Sequence, residues 1–342
     1  MAKITENKEI VLAEYPEGVP NEHTFQIKSV ETVNINDGEV LLKTLYISVD
    51  PGMRGFMKKG NDDAIGKKYT LNQAITSRGV AQVLESKSND FKKGDIVSGR
   101  LKWQKYQSVN ANELTKVNPD LKPISASISL YGIPGLSAYF GLLKIGQPKK
   151  GETVLVSGAA GGVGSIVVQI AKLKGCKVVG ITGSQKKIDF LENELGIDKA
   201  INYRETEDLE AEIKKVCPEG VDVFFDNVGG NVFDAVFPNM NRYGRIAICG
   251  QMSEYNDAGK PQGFRPMFGM VEKSIRMEGF VVFDFIKEYE QGLKQLAEWY
   301  NSKKLIYRET LEEGFENIPS AFIELFSGET IGKKMVKVGD VE

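Results

Sequence analysis

Two rhythms of apolar residues divide this chain. Up to about residue 120 they come in short runs broken by turn residues, such as Glu39-Val40-Leu41-Leu42-Lys43-Thr44-Leu45-Tyr46-Ile47-Ser48-Val49 and Gly94-Asp95-Ile96-Val97-Ser98-Gly99. Such runs predict strands with few helices. From about 125 to 300, strand-like runs alternate with helical periodicity, as in a doubly wound parallel sheet. Strands are predicted at 153–157, 176–182, 199–203, 221–226 and 244–250, and helices at 208–216, 231–240 and 288–302. The last stretch returns to a helix at 318–326 and a strand at 334–338. The expected class is therefore α/β, with a β-rich domain formed by 1–124 and 304–342 and a parallel-sheet domain over 125–303.

The first two predicted parallel strands flank a glycine-rich turn. Thr153-Val154-Leu155-Val156-Ser157 runs straight into Gly158-Ala159-Ala160-Gly161-Gly162-Val163-Gly164-Ser165, and Ile166, Val167, Ile170, Ala171 and Leu173 then fall at helical spacing. Strand, glycine turn, helix and strand within about thirty residues form a dinucleotide-binding unit, the opening of a Rossmann sheet. Glycines let the backbone approach a pyrophosphate, and the following helix N-terminus favours its negative charge. Ala159 replaces the first glycine of G-x-G-x-x-G, with Gly161 and Gly164 at the other two. Gly161, Gly162, Val163 and Gly164 are the candidate pyrophosphate contacts.

The end of the second strand bears on which dinucleotide binds. A site for NAD usually places an acid there, on the ribose 2′-hydroxyl. Here the residues are Thr182-Gly183-Ser184-Gln185-Lys186-Lys187, and the first acid is Asp189. A carboxylate would repel a 2′-phosphate, whereas a small hydroxyl loop beside a lysine attracts it. Gly183, Ser184 and Lys187 thus point to NADPH.

Composition narrows the chemistry. Lysine and arginine number 44 against 46 acids, so charge gives no sign of a nucleic-acid or membrane surface. The first eight residues are polar, without the apolar core of a signal peptide. Cys176, Cys217 and Cys249 are dispersed, as suits a reducing cytoplasm, and each reads as a small buried hydrophobe. His23 is the sole histidine. One histidine and three scattered cysteines do not assemble a zinc site, and no metal is expected.

Several segments then identify a family. Ser48-Val49-Asp50-Pro51-Gly52-Met53-Arg54-Gly55, Gly132-Ile133-Pro134-Gly135-Leu136-Ser137-Ala138-Tyr139-Phe140, Phe225-Asp226-Asn227-Val228-Gly229-Gly230, Arg276-Met277-Glu278 and Gly314-Phe315-Glu316-Asn317-Ile318-Pro319 join the glycine turn. From end to end the chain resembles the zinc-independent medium-chain dehydrogenases/reductases of the leukotriene dehydrogenase/prostaglandin reductase type, which include alkenal double-bond and curcumin reductases. The resemblance implies a GroES-like β-rich domain beside the Rossmann domain, a homodimer, and NADPH-dependent reduction of a double bond conjugated to a carbonyl. It places Lys187 and Tyr203 on the 2′-phosphate and Asn227 near the cofactor ribose. It runs the Cys249-Gly250-Gln251-Met252-Ser253-Glu254-Tyr255 loop beneath the nicotinamide and sets Phe280-Val281-Val282 against the carboxamide. Two positions depart from the family. Gly52 replaces a pocket tyrosine, which implies a more open pocket, and Thr330 replaces a cofactor-touching asparagine.

Hydride addition to the β-carbon of an enone leaves charge on the carbonyl oxygen, which needs a donor. With no metal and no suitable histidine, a tyrosine hydroxyl is the natural one, and Tyr255, just past a strand end, is the candidate. Tyr46, Gly52 and Arg54 are the remaining candidate pocket residues; Arg54 either attracts an anionic substrate or holds the Asp50 loop by an ion pair. Two other readings stay open: a quinone reductase on the same fold, and an NADPH-binding protein without turnover.

Overall fold

Thr153–Ser157 is buried at all five positions and forms an inner strand of a six-stranded sheet. In the computed structural model, residues 6–31, 34–60, 62, 66–256 and 268–342 of the chain are described. The chain divides into two compact units. One takes the chain up to Ser129 with Thr310–Ser327 and Lys334–Glu342; the other takes Leu130–Glu309 and Gly328–Lys333.

The first unit is β-rich. Its strands are β1 (Asn7–Leu12), β2 (Phe25–Val30), β3 (Glu39–Ser48), β4 (Thr76–Ser86), β5 (Ile96–Lys102), β6 (Tyr106–Asn110) and β7 (Leu114–Lys116). β1 and β2 form a separate pair, while β3 carries β4 and β6. Trp103 is fully buried, stacks on Phe25 at 5.9 Å, meets Phe322 edge-on at 6.2 Å, and donates its indole N–H to Ser77 Oγ at 2.9 Å. A buried tryptophan with its polar tip satisfied anchors the core without a desolvation cost.

The second unit has β8 (Thr153–Ser157), β9 (Lys177–Thr182), β10 (Lys199–Asn202), β11 (Val221–Asp226), β12 (Met240–Ile248) and β13 (Arg276–Gly279). Their spatial order is β10-β9-β8-β11-β12-β13, all pairs parallel. This is the doubly wound order of dinucleotide-binding sheets, reversing direction between β8 and β11. The two last strands, β14 (Glu309–Glu313) and β15 (Lys333–Lys337), return to the β-rich sheet, where β15 pairs β3.

Sequence and structure differ at element ends, each for a local reason. The helix expected at 231–240 stops at Val236, because Pro238 cannot continue it, and a 3₁₀ turn follows. β12 begins at Met240, with Tyr243 at a positive φ of 63° and a register shift against β11. That irregular polar stretch hid the strand's start. Leu173, expected on the buried helix face, is 38% exposed in the last turn of Gly164–Leu173. Unit bounds also shift. Ile128 packs with Leu45, Val80 and Met335 of the β-rich unit. Ile306 exchanges two hydrogen bonds with the Gln169 carboxamide in the parallel-sheet unit.

Candidate active site

In open α/β sheets, ligands bind where the strand order reverses, outside the carboxyl ends. Here that point lies between the ends of β8 and β11. Ser157 Oγ donates to Asp226 Oδ1 at 2.6 Å and accepts from Asn227 N–H at 2.8 Å. The Asn227 carboxamide donates to Ser157 O at 2.7 Å, and the Asp226 carboxylate also accepts from the Val228 and Gly229 N–H groups. Burial pushes the Asp226 carboxyl up, against these donors. Asn227 is thereby held beside the glycine turn.

The turn has the geometry its composition predicts. Gly158 takes a left-handed φ of 58° where the chain leaves β8. Gly164 opens the following helix against the strand, and a Cβ there would lie 2.3 Å from Gly158 O. Only glycine permits that approach. Gly161 and Gly162 lie between them, and a Cβ on Gly161 would meet only Gly158 O, at 3.3 Å. Val163 is the N-cap of the helix. A Cβ on Gly162 would meet the Lys333 side chain at 3.1 Å, so the turn is bare at Gly161 and closely approached at Gly162.

Past the end of β9, Ser184 stands at the N-cap position, without a side-chain capping bond, of a short helix that carries Lys187. Lys187 is buried at 9% exposure, and its ammonium donates to Gly328 O at 2.6 Å. Burial pulls it down to about 8. Tyr203, just past β10, is 40% exposed, and its ring and hydroxyl lie 3.0 and 3.3 Å from where a Cβ on Gly183 would stand. The structure therefore brings Gly183, Lys187 and Tyr203 together.

Beyond β12 the backbone of Cys249 and Gly250 bonds to Asp226 O, and Met252 N–H donates to Asn227 O at 3.2 Å. Desolvation and nearby Asp226 push the Cys249 thiol up to about 12, so it stays neutral. Tyr255 follows a 3₁₀ turn, and its hydroxyl lies over Gly250, 2.8 Å from a Cβ placed there. That hydroxyl accepts from Gln251 N–H at 3.3 Å, while its own O–H has no acceptor among the described residues. Burial raises Tyr255, which therefore remains a donor at neutral pH. Phe280 is half-buried, packs on Phe225 and fills the space above Gly141, and its backbone continues into Val281 and buried Val282.

The segment Gly328–Lys333 lies along the same site. Gly332 N–H donates to Ala160 O at 2.8 Å, and Lys187 holds Gly328 at the other end. Between them, Thr330 Oγ1 is buried with no hydrogen-bond partner among the described residues. Buried hydroxyls are rarely left so, and an orphan beside the glycine turn fits a cofactor contact.

Comparison with known proteins agrees with this geometry. Residues 8–117 match a family model described as the N-terminal domain of oxidoreductase, and 162–298 match one described as zinc-binding dehydrogenase. The chain is 41% identical over 342 residues to the NADP(+)-dependent 2-alkenal reductase of Nicotiana tabacum, covering 99% of each. It is 44% identical over 335 residues to prostaglandin reductase 1 of Mus musculus, covering 96% of this chain and 98% of that one. The crystal structure of CurA from Vibrio vulnificus in complex with NADPH superposes with a TM-score of 0.92 at 37% identity, covering 97% of this chain and 99% of that one. The chain belongs to the zinc-independent medium-chain dehydrogenases/reductases. Among the described residues no group of three or more His, Cys, Asp or Glu side chains is placed to hold a metal ion.

The family's β-rich unit carries the other expected pocket residues. Gly52 is exposed, with open space around a would-be Cβ. Tyr46 is half-buried on β3 and packs against the Leu45, Val80, Ile128 and Met335 cluster. Of the two roles expected for Arg54 the structure supports loop-holding, with main-chain carbonyls in place of an ion pair. Arg54 is 2% exposed, and its guanidinium donates to the carbonyls of Pro16, Gly18 and Met57. It therefore fixes a loop through main-chain oxygens and offers no charge to a substrate.

Four residues of the site escaped the sequence reading: Ser157, Asp226, Arg204 and Glu329. The first two end predicted strands, and strand-end polar residues at the reversal point were the available signal. Arg204 and Glu329 are 125 positions apart and have no shared pattern.

Proposed function

We propose that this protein is an NADPH-dependent reductase of the carbon–carbon double bond of α,β-unsaturated aldehydes and ketones. The observation that carries the reading is the Tyr255 hydroxyl, a protonated donor with no acceptor among the described residues, over Gly250 beyond the carboxyl end of β12. The named activities of the relatives support the substrate class. Bound NADPH supplies the hydride that the substrate's β-carbon receives. Tyr255 then donates its O–H to the carbonyl oxygen as charge develops there, and water delivers the proton to the α-carbon. Gly161, Gly162, Val163 and Gly164 hold the pyrophosphate, and Gly183, Ser184, Lys187 and Tyr203 hold the 2′-phosphate. Asn227, Cys249, Gly250, Met252, the Phe280–Val282 backbone and Thr330 line the rest of the cofactor. Gly52 and Tyr46 shape the substrate end, in a β-rich substrate domain.

A homodimer and a cytoplasmic setting complete the reading. β13 is an edge strand exposed at all four positions, and such edges template pairing with a second copy. Among the described residues no helix is long and apolar enough to cross a membrane.

The test follows NADPH absorbance with a conjugated enone, its saturated ketone and a quinone, with NADH in parallel. Oxidation with the enone alone, slower with NADH, is expected. Turnover of only the quinone would replace double-bond reduction with quinone reduction, and silence with all three would leave a binding protein.

A further inference from the structure

The positive charge at the 2′-phosphate end is not confined to Lys187. The Arg204 guanidinium lies between two glycines: its Nε is 3.2 Å from a would-be Cβ on Gly183, and its Nη2 is 2.7 Å from one on Gly328. Its Nε donates to the Tyr203 hydroxyl at 3.3 Å, and the group stands over the Tyr203 ring at 5.8 Å. On the far side its Nη1 pairs with Glu329 at 3.3 Å. Glu329 directly follows Gly328, whose carbonyl takes the Lys187 ammonium. Two cations, a tyrosine hydroxyl and one carboxylate thus converge around two side-chain-free positions.

We propose that Arg204 is a specificity-determining residue for the 2′-phosphate, and that Glu329 is the carboxylate which that phosphate displaces from it. This rests on the reading of Lys187 and Tyr203 as the phosphate site. The Arg204–Glu329 pair is 42% and 57% exposed, so it is weak and readily exchanged. A phosphate brings close to two negative charges and three strong acceptors, a better partner for a guanidinium than one exposed carboxylate. By taking the Arg204 N–H on its oxygen, the Tyr203 hydroxyl keeps its own proton to donate. Glu329 adds selectivity of a second kind. A cofactor without the 2′-phosphate gives Arg204 nothing in exchange for it, so NADH gains nothing from the displacement.

Calorimetric titration of the full-length wild type, R204Q, E329Q and K187Q with NADPH and with NADH tests this without turnover. R204Q is expected to weaken NADPH about ten-fold, as for loss of one charge-assisted hydrogen bond, and to leave NADH unchanged. E329Q is expected to tighten NADPH alone, by removing the competing anion. Equal weakening of both cofactors in R204Q, or none, would make the pair a surface ion pair and overturn the inference. K187Q separates the two ideas. NADPH affinity lost in K187Q but kept in R204Q sinks only the role of Arg204, whereas an unchanged NADPH-to-NADH ratio in K187Q sinks the Lys187 reading itself.

Discussion

Ser157 and Asp226 end neighbouring strands and share a 2.6 Å hydrogen bond where the sheet reverses its order. Through it the glycine turn after β8 and the Asn227 loop after β11 become one rigid edge. Ser157→Ala removes a bond to a buried carboxylate and leaves the Asn227 N–H without its acceptor. The expected cost is about 1.5–3 kcal/mol, seen as a lower apparent melting temperature together with weaker NADPH binding. An unchanged melting curve would show that the two loops are held by other contacts.

Tyr255→Phe keeps the ring over Gly250 and removes only the donor. If the hydroxyl meets developing charge on the substrate oxygen, kcat falls by about 10²-fold while the Kd for NADPH stays put. A fall in cofactor affinity with kcat preserved would instead make Tyr255 a binding residue.

Lys187 sets a pH window. In the free protein burial lowers it to about 8, so below that value the cation is already present, and above it binding a 2′-phosphate must first take up a proton. The phosphate itself loses its second proton near pH about 6. Preference for NADPH over NADH is therefore expected to be greatest between these values and to decline above the upper one. Titrations across this range in buffers of different ionisation enthalpy report the proton uptake directly. K187M should flatten the upper limb, and a limb that survives in K187M would belong to another group.

Thr330→Val discriminates a cofactor contact from a packing role. The hydroxyl is buried and unpartnered among the described residues, so replacing it with a methyl group should cost the fold nothing or stabilise it slightly. NADPH binding should weaken a few-fold, by about 1 kcal/mol for one neutral hydrogen bond. Thr330→Asn should strengthen it. Loss of stability in the valine variant would mean that the hydroxyl is satisfied after all.

Gly52→Tyr probes pocket width. Open space surrounds this position, so the β-rich unit should keep its melting temperature. KM is expected to rise for bulky aromatic enones and stay level for small alkenals. A uniform change across substrates would remove Gly52 from the pocket.

The sequence by itself determined the parallel sheet, the glycine turn and the absence of an acid after β9. These are local features: β-branched runs, a glycine spacing and one missing carboxylate, each readable within about ten residues. Lys187 and Tyr255 were proposed from local sequence in the same way, whereas Asn227 and Tyr203 were proposed only through the family resemblance. Tertiary structure decided the rest. For Arg54 the sequence left a substrate charge and an Asp50-loop ion pair both open, and its actual partners are the carbonyls of Pro16 and Gly18, nearly forty positions away. For Thr330 the sequence showed only a shorter side chain in place of a cofactor-touching asparagine, and the tertiary structure makes it a buried hydroxyl with no partner among the described residues. Arg204 and Glu329 meet only because Gly328–Lys333 returns to the parallel-sheet unit. Periodicity records which face of an element is buried, but the identity of a polar side chain's partner depends on chain return, and that is fixed by packing.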